Sequence, residues 1–159
     1  MNFHLIRASP EHEDVVKNLM HLYIYDFSEY VGGDVDDTGL FPPYAGLEEY
    51  WATGSTRFAY VLKKNDKYIG FILVRFIETE ERSYFSIAEF FIMKKYRREG
   101  IGKAAAWEIF NLHKGPWEVY QKENNKPAQV FWNKTISVYT KGQFNDRSEN
   151  GRIIQTFEN

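Results

Sequence analysis

Two arginines, two glycines and a lysine fall within one short run of this chain, Arg97-Arg98-Glu99-Gly100-Ile101-Gly102-Lys103. Residues of these types at this spacing can cradle a phosphate. Glycine carries no Cβ, so the backbone N–H groups around Gly100, Ile101 and Gly102 can close on an anion, while Arg97, Arg98 and Lys103 supply matching charge. The run that follows, Ala104-Ala105-Ala106-Trp107-Glu108-Ile109-Phe110-Asn111-Leu112, has high helix propensity. A helix there would turn its first, unpaired amides and the positive end of its dipole toward the same anion. The run that precedes it, Tyr84 to Met93, is aromatic and β-branched, as a sheet strand should be.

Other glycine motifs fit less well. A triphosphate-binding loop needs four residues between its first glycine and Gly-Lys, then a hydroxyl for Mg²⁺, whereas only Ile101 separates these glycines and Ala104 follows Lys103. Gly100-x-Gly102-x-x-Ala105, with Glu123 beyond, also satisfies a dinucleotide-binding fingerprint. That fold sets its glycine turn directly against a strand within repeated βαβ units, and here the polar run Lys94 to Glu99 intervenes. It remains the weaker alternative, an oxidoreductase that would bind NAD. Asp34-Val35-Asp36-Asp37-Thr38-Gly39 begins like a calcium loop, but Ala45 stands where the closing glutamate belongs and Pro42-Pro43 breaks the pattern.

With its strand, basic glycine turn and helix, the chain resembles the GCN5-related N-acetyltransferase (GNAT) family, whose acyl-CoA site carries R/Q-x-x-G-x-G/A. Arg97, Gly100 and Gly102 match that motif, and Asn125-Lys126-Pro127-Ala128 with Phe131-Trp132-Asn133-Lys134 is similar to the family's later N-x-x-A-x-x-x-Y-x-K segment. The resemblance runs from Ser83 to Ile136 through motifs, and through the first half by order of elements. It implies acetyl-CoA as co-substrate and a primary amine as acceptor, joined by direct attack in a ternary complex, since no cysteine is available for an acyl-enzyme. By the same resemblance the backbone of Ile92, Met93 and Lys94 contacts the acetyl carbonyl and pantetheine. Arg97, Arg98, Gly100, Ile101, Gly102 and Lys103 hold the pyrophosphate, and Asn125 contacts the cofactor or braces the neighbouring strand, with capping of the next helix as its structural alternative.

Glu89 is the candidate catalytic base. It occupies a strand position where several family members carry a catalytic glutamate, and a carboxylate among Phe85, Ile87, Phe90 and Phe91 should be pushed up in pKa. Trp132 stands where the family tyrosine protonates the departing thiolate; indole cannot serve as that acid, so Trp132 is expected to pack against the pantetheine arm or the core. Tyr120, Tyr139 or water would then supply the proton. A CoA-binding module without transferase activity is the alternative that this departure raises.

The elements that must position these residues are readable from periodicity and turns. Phe3 to Ala8 reads as a strand and His12 to Tyr30 as a helix with Val15, Leu19 and Leu22 on one face, ending before Gly32-Gly33. A long Gly-, Asp- and Pro-rich loop follows to Gly46, then a short helix at Leu47 to Trp51. Arg57 to Leu62 and Tyr68 to Val74 form a hairpin, with a third strand from Tyr84. After the alanine-rich helix come a strand at Trp117 to Tyr120, a helix from Pro127 to Ile136, and two short strands around Asn150-Gly151. The expected fold is α/β, a mixed, mostly antiparallel twisted sheet of about seven strands flanked by about four helices, in one domain over residues 1–159.

Composition bounds the function. With 159 residues, 43% apolar and 18% aromatic, the chain can bury a sizeable core. A net charge of -2 implies no nucleic-acid surface, leaving phosphate affinity to the basic turn. The lack of cysteine and the scattered positions of His4, His12, His21 and His113 imply no metal site and agree with a cytoplasmic setting. No apolar run is long enough for a signal peptide or a membrane span. By resemblance, the acidic loop with Glu48 and Glu49 borders the acceptor pocket, where it can attract a cationic amine, and the C-terminal strands leave room for a homodimer.

Overall fold

The computed structural model describes residues 2–159. It contains strands β1 (His4–Arg7), β2 (Arg57–Lys64), β3 (Lys67–Glu78), β4 (Ser83–Ile92), β5 (Pro116–Lys122), β6 (Asn145–Glu149) and β7 (Arg152–Glu158), and helices α1 (Glu13–Val31), α2 (Ile101–Leu112) and α3 (Lys126–Tyr139). The sheet order is β1-β2-β3-β4-β5-β7-β6. It is mostly antiparallel, with β4 parallel to β5 where Phe85 faces Trp117. The doubly wound parallel sheet of a dinucleotide fold is therefore not what this chain forms.

Local chemistry explains the boundaries. Asn65 and Asp66 both have positive φ, the two-residue turn that matches strand twist, so β2 and β3 form a tight hairpin. Asn150 and Gly151 repeat the device between β6 and β7. Helix α1 stops at Gly32, which is left-handed and donates its N–H to the Ser28 carbonyl. The helix expected at Leu47–Trp51 is instead a five-residue 3-10 helix after the left-handed Gly46, so the described residues form three α-helices rather than about four. So short a segment, without a side-chain cap, favours the tighter i→i+3 turn, seen in the bond from Glu49 N to Gly46 O.

One compact unit comprises residues up to Leu73 together with Glu89–Arg97. Leu5 of β1 pairs with Leu62 of β2, and the bond from Ala8 N to Ala59 O continues the ladder by 2.9 Å. Val16, Leu19 and Met20 of α1 are buried, as are Ile69, Phe71, Ile72 and Leu73 of β3. Tyr23 of α1 lies edge-on to Phe71 and Phe91, at 5.8 and 5.9 Å between ring centroids. The other unit comprises Val74–Ala88 and Arg98–Asn159. Its core is aromatic: Phe110 of α2 lies 4.9 Å from both Trp117 of β5 and Phe157 of β7. Glu118 of β5 is buried but paired with Arg82 at 2.5 Å and Arg147 at 3.3 Å.

Gly70 of β3 shapes the strand that carries Glu89. A Cβ at this position would lie 2.1 Å from the carbonyl oxygen of Phe91, and the neighbouring bond from Met93 N to Ile69 O holds the two backbones at that approach. Gly70→Ala is expected to force the strands apart and to destabilise the protein by about 3 kcal/mol, measured by chemical denaturation. Retention of full stability would show that the backbones separate freely.

Candidate active site

Glu89 sits on β4 with its carboxylate between two tyrosine hydroxyls. Tyr23 of α1 donates to Oε2, and Tyr44 donates to Oε1 at 2.9 Å from the loop between α1 and the 3-10 helix. The Tyr23 ring is itself held, stacked on Phe27 one turn along α1 at 5.5 Å and 13°. Burial pushes the Glu89 carboxyl above the ordinary glutamate range, and the two hydroxyl donors only partly oppose it. A carboxylate whose pKa is raised, with donors on both oxygens, is a stronger base than an ordinary glutamate and stays oriented to accept a proton.

Just beyond β4, Asp26 of α1 gathers two of the basic residues. Arg97 Nη2 donates to its Oδ2 at 2.5 Å and Lys94 Nζ lies 3.2 Å from Oδ1. Arg97 also donates through Nε to the Ile92 carbonyl at 2.7 Å, which closes the chain between them into a loop. Burial raises the Asp26 pKa, but the hydrogen bonds and charges of Arg97 and Lys94 outweigh it and hold the carboxyl below its ordinary value. The charge of Arg97 is thus neutralised by Asp26. Met93, expected to offer its amide to the acyl arm, donates that N–H to Ile69, while Ile92 is buried.

The glycine turn keeps the geometry that its residue types suggest. Arg98 and Gly100 both have positive φ, at 65° and 79°, and Arg98 and Lys103 are exposed. Gly100 is the N-cap of α2 without a side-chain hydrogen bond, and the first helical bond in the turn runs from Ala104 N to Gly100 O. The amides of Ile101, Gly102 and Lys103 therefore start α2 with no carbonyl partner within the helix. Ile101 anchors the turn, its side chain 1% exposed.

The later motif lies at the start of α3 and along it. Asn125 is the N-cap of α3 and accepts from Ala128 N at 3.1 Å, the alternative that its sequence context offered. Trp132 is buried, 5.0 Å from Phe131 and 6.4 Å from Phe110. Of the two other acid candidates, the Tyr139 hydroxyl donates to Asn111 and accepts from Asn159, at 2.8 and 2.9 Å. Tyr120 is exposed, with the Arg152 guanidinium 4.5 Å over its ring. In the acidic loop, Asp36 is turned on its own backbone and accepts from Thr38 N and Leu40 N.

Asp26 and Tyr44 escape sequence reasoning, and Tyr23 reads there only as part of a helix face. Signals existed: Asp26 follows Tyr23 by one turn on a largely apolar stripe, and Tyr44 follows Pro42-Pro43 in a loop too long to be a simple connection.

Known proteins share this arrangement of strand, turn and helix. The acetyltransferase (GNAT) family model matches residues 19–136, and the chain belongs to that family. Membership makes acyl-CoA-dependent acetyl transfer its class of activity. The N-acetyltransferase PaiA of Thermoplasma acidophilum, solved with coenzyme A, has a TM-score of 0.66 at 12% identity over 100% of both chains. NAA60 of Arabidopsis thaliana, solved with a bisubstrate analogue, has a TM-score of 0.63 at 15% identity, covering 99% of this chain and 98% of that one. An aminoglycoside acetyltransferase from an uncultured soil metagenomic sample, solved with sisomicin, has a TM-score of 0.63 at 16% identity, covering 84% and 86%. At these identities the likeness is one of fold. No curated protein sequence matches the chain. Among the described residues, no helix is long and apolar enough to cross a membrane.

The Asp26 cluster carries a pH signature. Because the folded-state pKa of Asp26 is lowered, its contribution is present above the unfolded value and is lost as pH falls through the folded one. Asp26→Asn is expected to cost about 1 kcal/mol at pH 7, and its denaturation midpoint should converge on that of the unaltered protein below about pH 3. A difference independent of pH would mean that the cluster acts through packing alone.

Proposed function

We propose that this protein transfers the acetyl group of acetyl-CoA to a primary amine by direct attack in a ternary complex, with Glu89 as general base. The observation that carries the reading is the Glu89 carboxylate, raised in pKa by burial and held by Tyr23 and Tyr44. A lysine-like ammonium of pKa about 10.4 is neutral in about one molecule in two thousand at pH 7, so a nearby base of raised pKa meets a real need.

The turn fits the pyrophosphate of the co-substrate. Amides of Ile101, Gly102 and Lys103 at the start of α2 would hold it, with Arg98 and Lys103 adding exposed positive charge. Arg97, with its guanidinium held by Asp26 and the Ile92 carbonyl, is less available as a free cation than Arg98 or Lys103. Asn125 and Trp132 act at one remove, by starting α3 and packing it.

The step balances without a dedicated acid. Glu89 accepts one proton from the ammonium, the neutral nitrogen forms its bond to the carbonyl carbon, and the C–S bond breaks. The second proton of the nitrogen ends on sulfur by way of solvent. A thiol of pKa about 8.5 leaves far more readily than an amine of about 10.4, so a tryptophan at position 132 is compatible with turnover. The acceptor reads as a small molecule or peptide carrying a primary amine, drawn by the exposed acidic residues Asp34, Asp37 and Glu48.

Calorimetric titration with acetyl-CoA, CoA and NAD tests the co-substrate. Micromolar binding of both CoA forms and none of NAD is expected, and Gly102→Leu should abolish it without loss of stability, since leucine favours a helix more than glycine does. Unchanged affinity would overturn the assignment of the turn. In an amine-acceptor screen by thiol release, Glu89→Gln should lower kcat by about a hundredfold or more and remove the acidic limb of the pH profile. A CoA-binding module would bind equally and release no thiol with any amine.

A further inference from the structure

The Glu89 site contains more than a carboxylate. Each of its two oxygens takes one phenol, Oε2 from Tyr23 and Oε1 from Tyr44, and the two tyrosines come from separate segments. Tyr23 is fixed by its own packing, stacked on Phe27 and edge-on to Phe71 and Phe91. Tyr44 reaches Glu89 from the loop that follows Gly32 and precedes Gly46. A glutamate side chain has three rotatable bonds and loses considerable freedom when both oxygens are held. Two donors therefore decide where its lone pairs point.

We infer that Tyr23 and Tyr44 are positioning residues for the base, a two-phenol clamp that holds both oxygens of Glu89 and sets the strength with which it takes a proton. The inference rests on the reading of Glu89 as the base. Its physical content is a hydrogen-bond balance. A phenol O–H donates to the ionised carboxylate more strongly than to the neutral acid, so each hydroxyl keeps the group ionised against burial. Without them, burial would act unopposed and Glu89 would hold its proton up to a higher pH.

The surroundings leave these hydroxyls as the controlling groups. On α1, the nearest charged residue along the helix is Asp26, and it is paired with Arg97 and Lys94. On β3 and β4, the residues packed on Tyr23 are the uncharged Phe71 and Phe91. The loop contributes Tyr44. The influences on the Glu89 carboxyl are burial and the two hydroxyls, with no charge among them.

Tyr23→Phe and Tyr44→Phe remove one hydroxyl each and keep the ring. The first measurement is the 13C-carboxyl titration of Glu89 in the unliganded protein, assigned with Glu89→Gln. Each variant is expected to raise the midpoint by about one pH unit, the equivalent of one hydrogen bond to a charged group. The second is the pH profile of kcat/KM with acetyl-CoA and the best amine of the screen. Its acidic limb should move up by the same amount, giving about a tenfold loss below the limb that is recovered above it. A purely structural role would lower activity at all pH values and leave both midpoints in place. Unmoved midpoints in both variants overturn the clamp, and a shift in only one overturns the role of the other tyrosine. An acidic limb that persists in Glu89→Gln would instead sink Glu89 as base, whatever the carboxyl titration shows.

Discussion

A carboxylate drawn away from water does not keep its charge unless something donates to it, and that constraint ties β4 to two distant segments. Desolvating a charged group costs several kcal/mol when nothing compensates, and Glu89 is compensated by a helix residue 66 positions away and a loop residue 45 positions away. The hydroxyl of Tyr23 needs α1 to lie against β3 and β4, which the buried Val16, Leu19 and Met20 accomplish. The hydroxyl of Tyr44 needs the long loop to return to the sheet, which the 3-10 helix and its buried Leu47 and Tyr50 make sterically definite. Trp51 fastens that segment to the chain after β1 through a 2.9 Å bond to the Ser9 carbonyl.

Backbone approach is the second determinant. Gly70 lets β3 close on Phe91, two residues after Glu89, and the same stretch of β4 ends in the loop that Arg97 closes onto Ile92. Asp26 then pairs with Arg97 and Lys94 at the end of the strand, one negative charge against two positive ones. The basic run therefore divides into two parts. Arg97 is paired with Asp26, while Arg98 is exposed and α2 starts after Gly100 with amides that have no carbonyl partner within the helix. An anion held there would be recognised chiefly by backbone dipoles, whose orientation needs no side-chain ordering at the moment of binding.

The aromatic residues show how one composition serves two ends. Phe110, Trp117 and Phe157 pack one another edge-on or stacked in a core where Trp117 still satisfies its N–H on the His113 carbonyl at 2.9 Å. Trp132 belongs to that packing, with its ring 6.4 Å from Phe110. Tyr23 belongs to an aromatic stack as well, yet its hydroxyl reaches a carboxylate. Ring packing alone does not separate the two cases; the difference is the partner at the polar tip.

The order of strands and helices, the two tight hairpin turns, the glycine turn before α2 and the family itself were legible in the sequence, because propensity, turn chemistry and short motifs act over a few residues. Glu89 was legible as a candidate for the same reason, its neighbours on β4 being apolar. The 3-10 form of Leu47–Trp51 was not, since five residues carry too little periodicity to separate one helix type from another. Nor were Tyr44 and the Asp26 pairing, which depend on contacts across 45 and 71 positions. Sequence context offered Asn125 as a helix cap and Trp132 as a core residue, and the fold shows the cap on α3 and the buried indole. Local residue types determined which chemistry the chain can offer. Tertiary packing alone decided which of those groups meet, because hydrogen bonds and burial depend on distance in space, which sequence spacing does not encode beyond the length of one element.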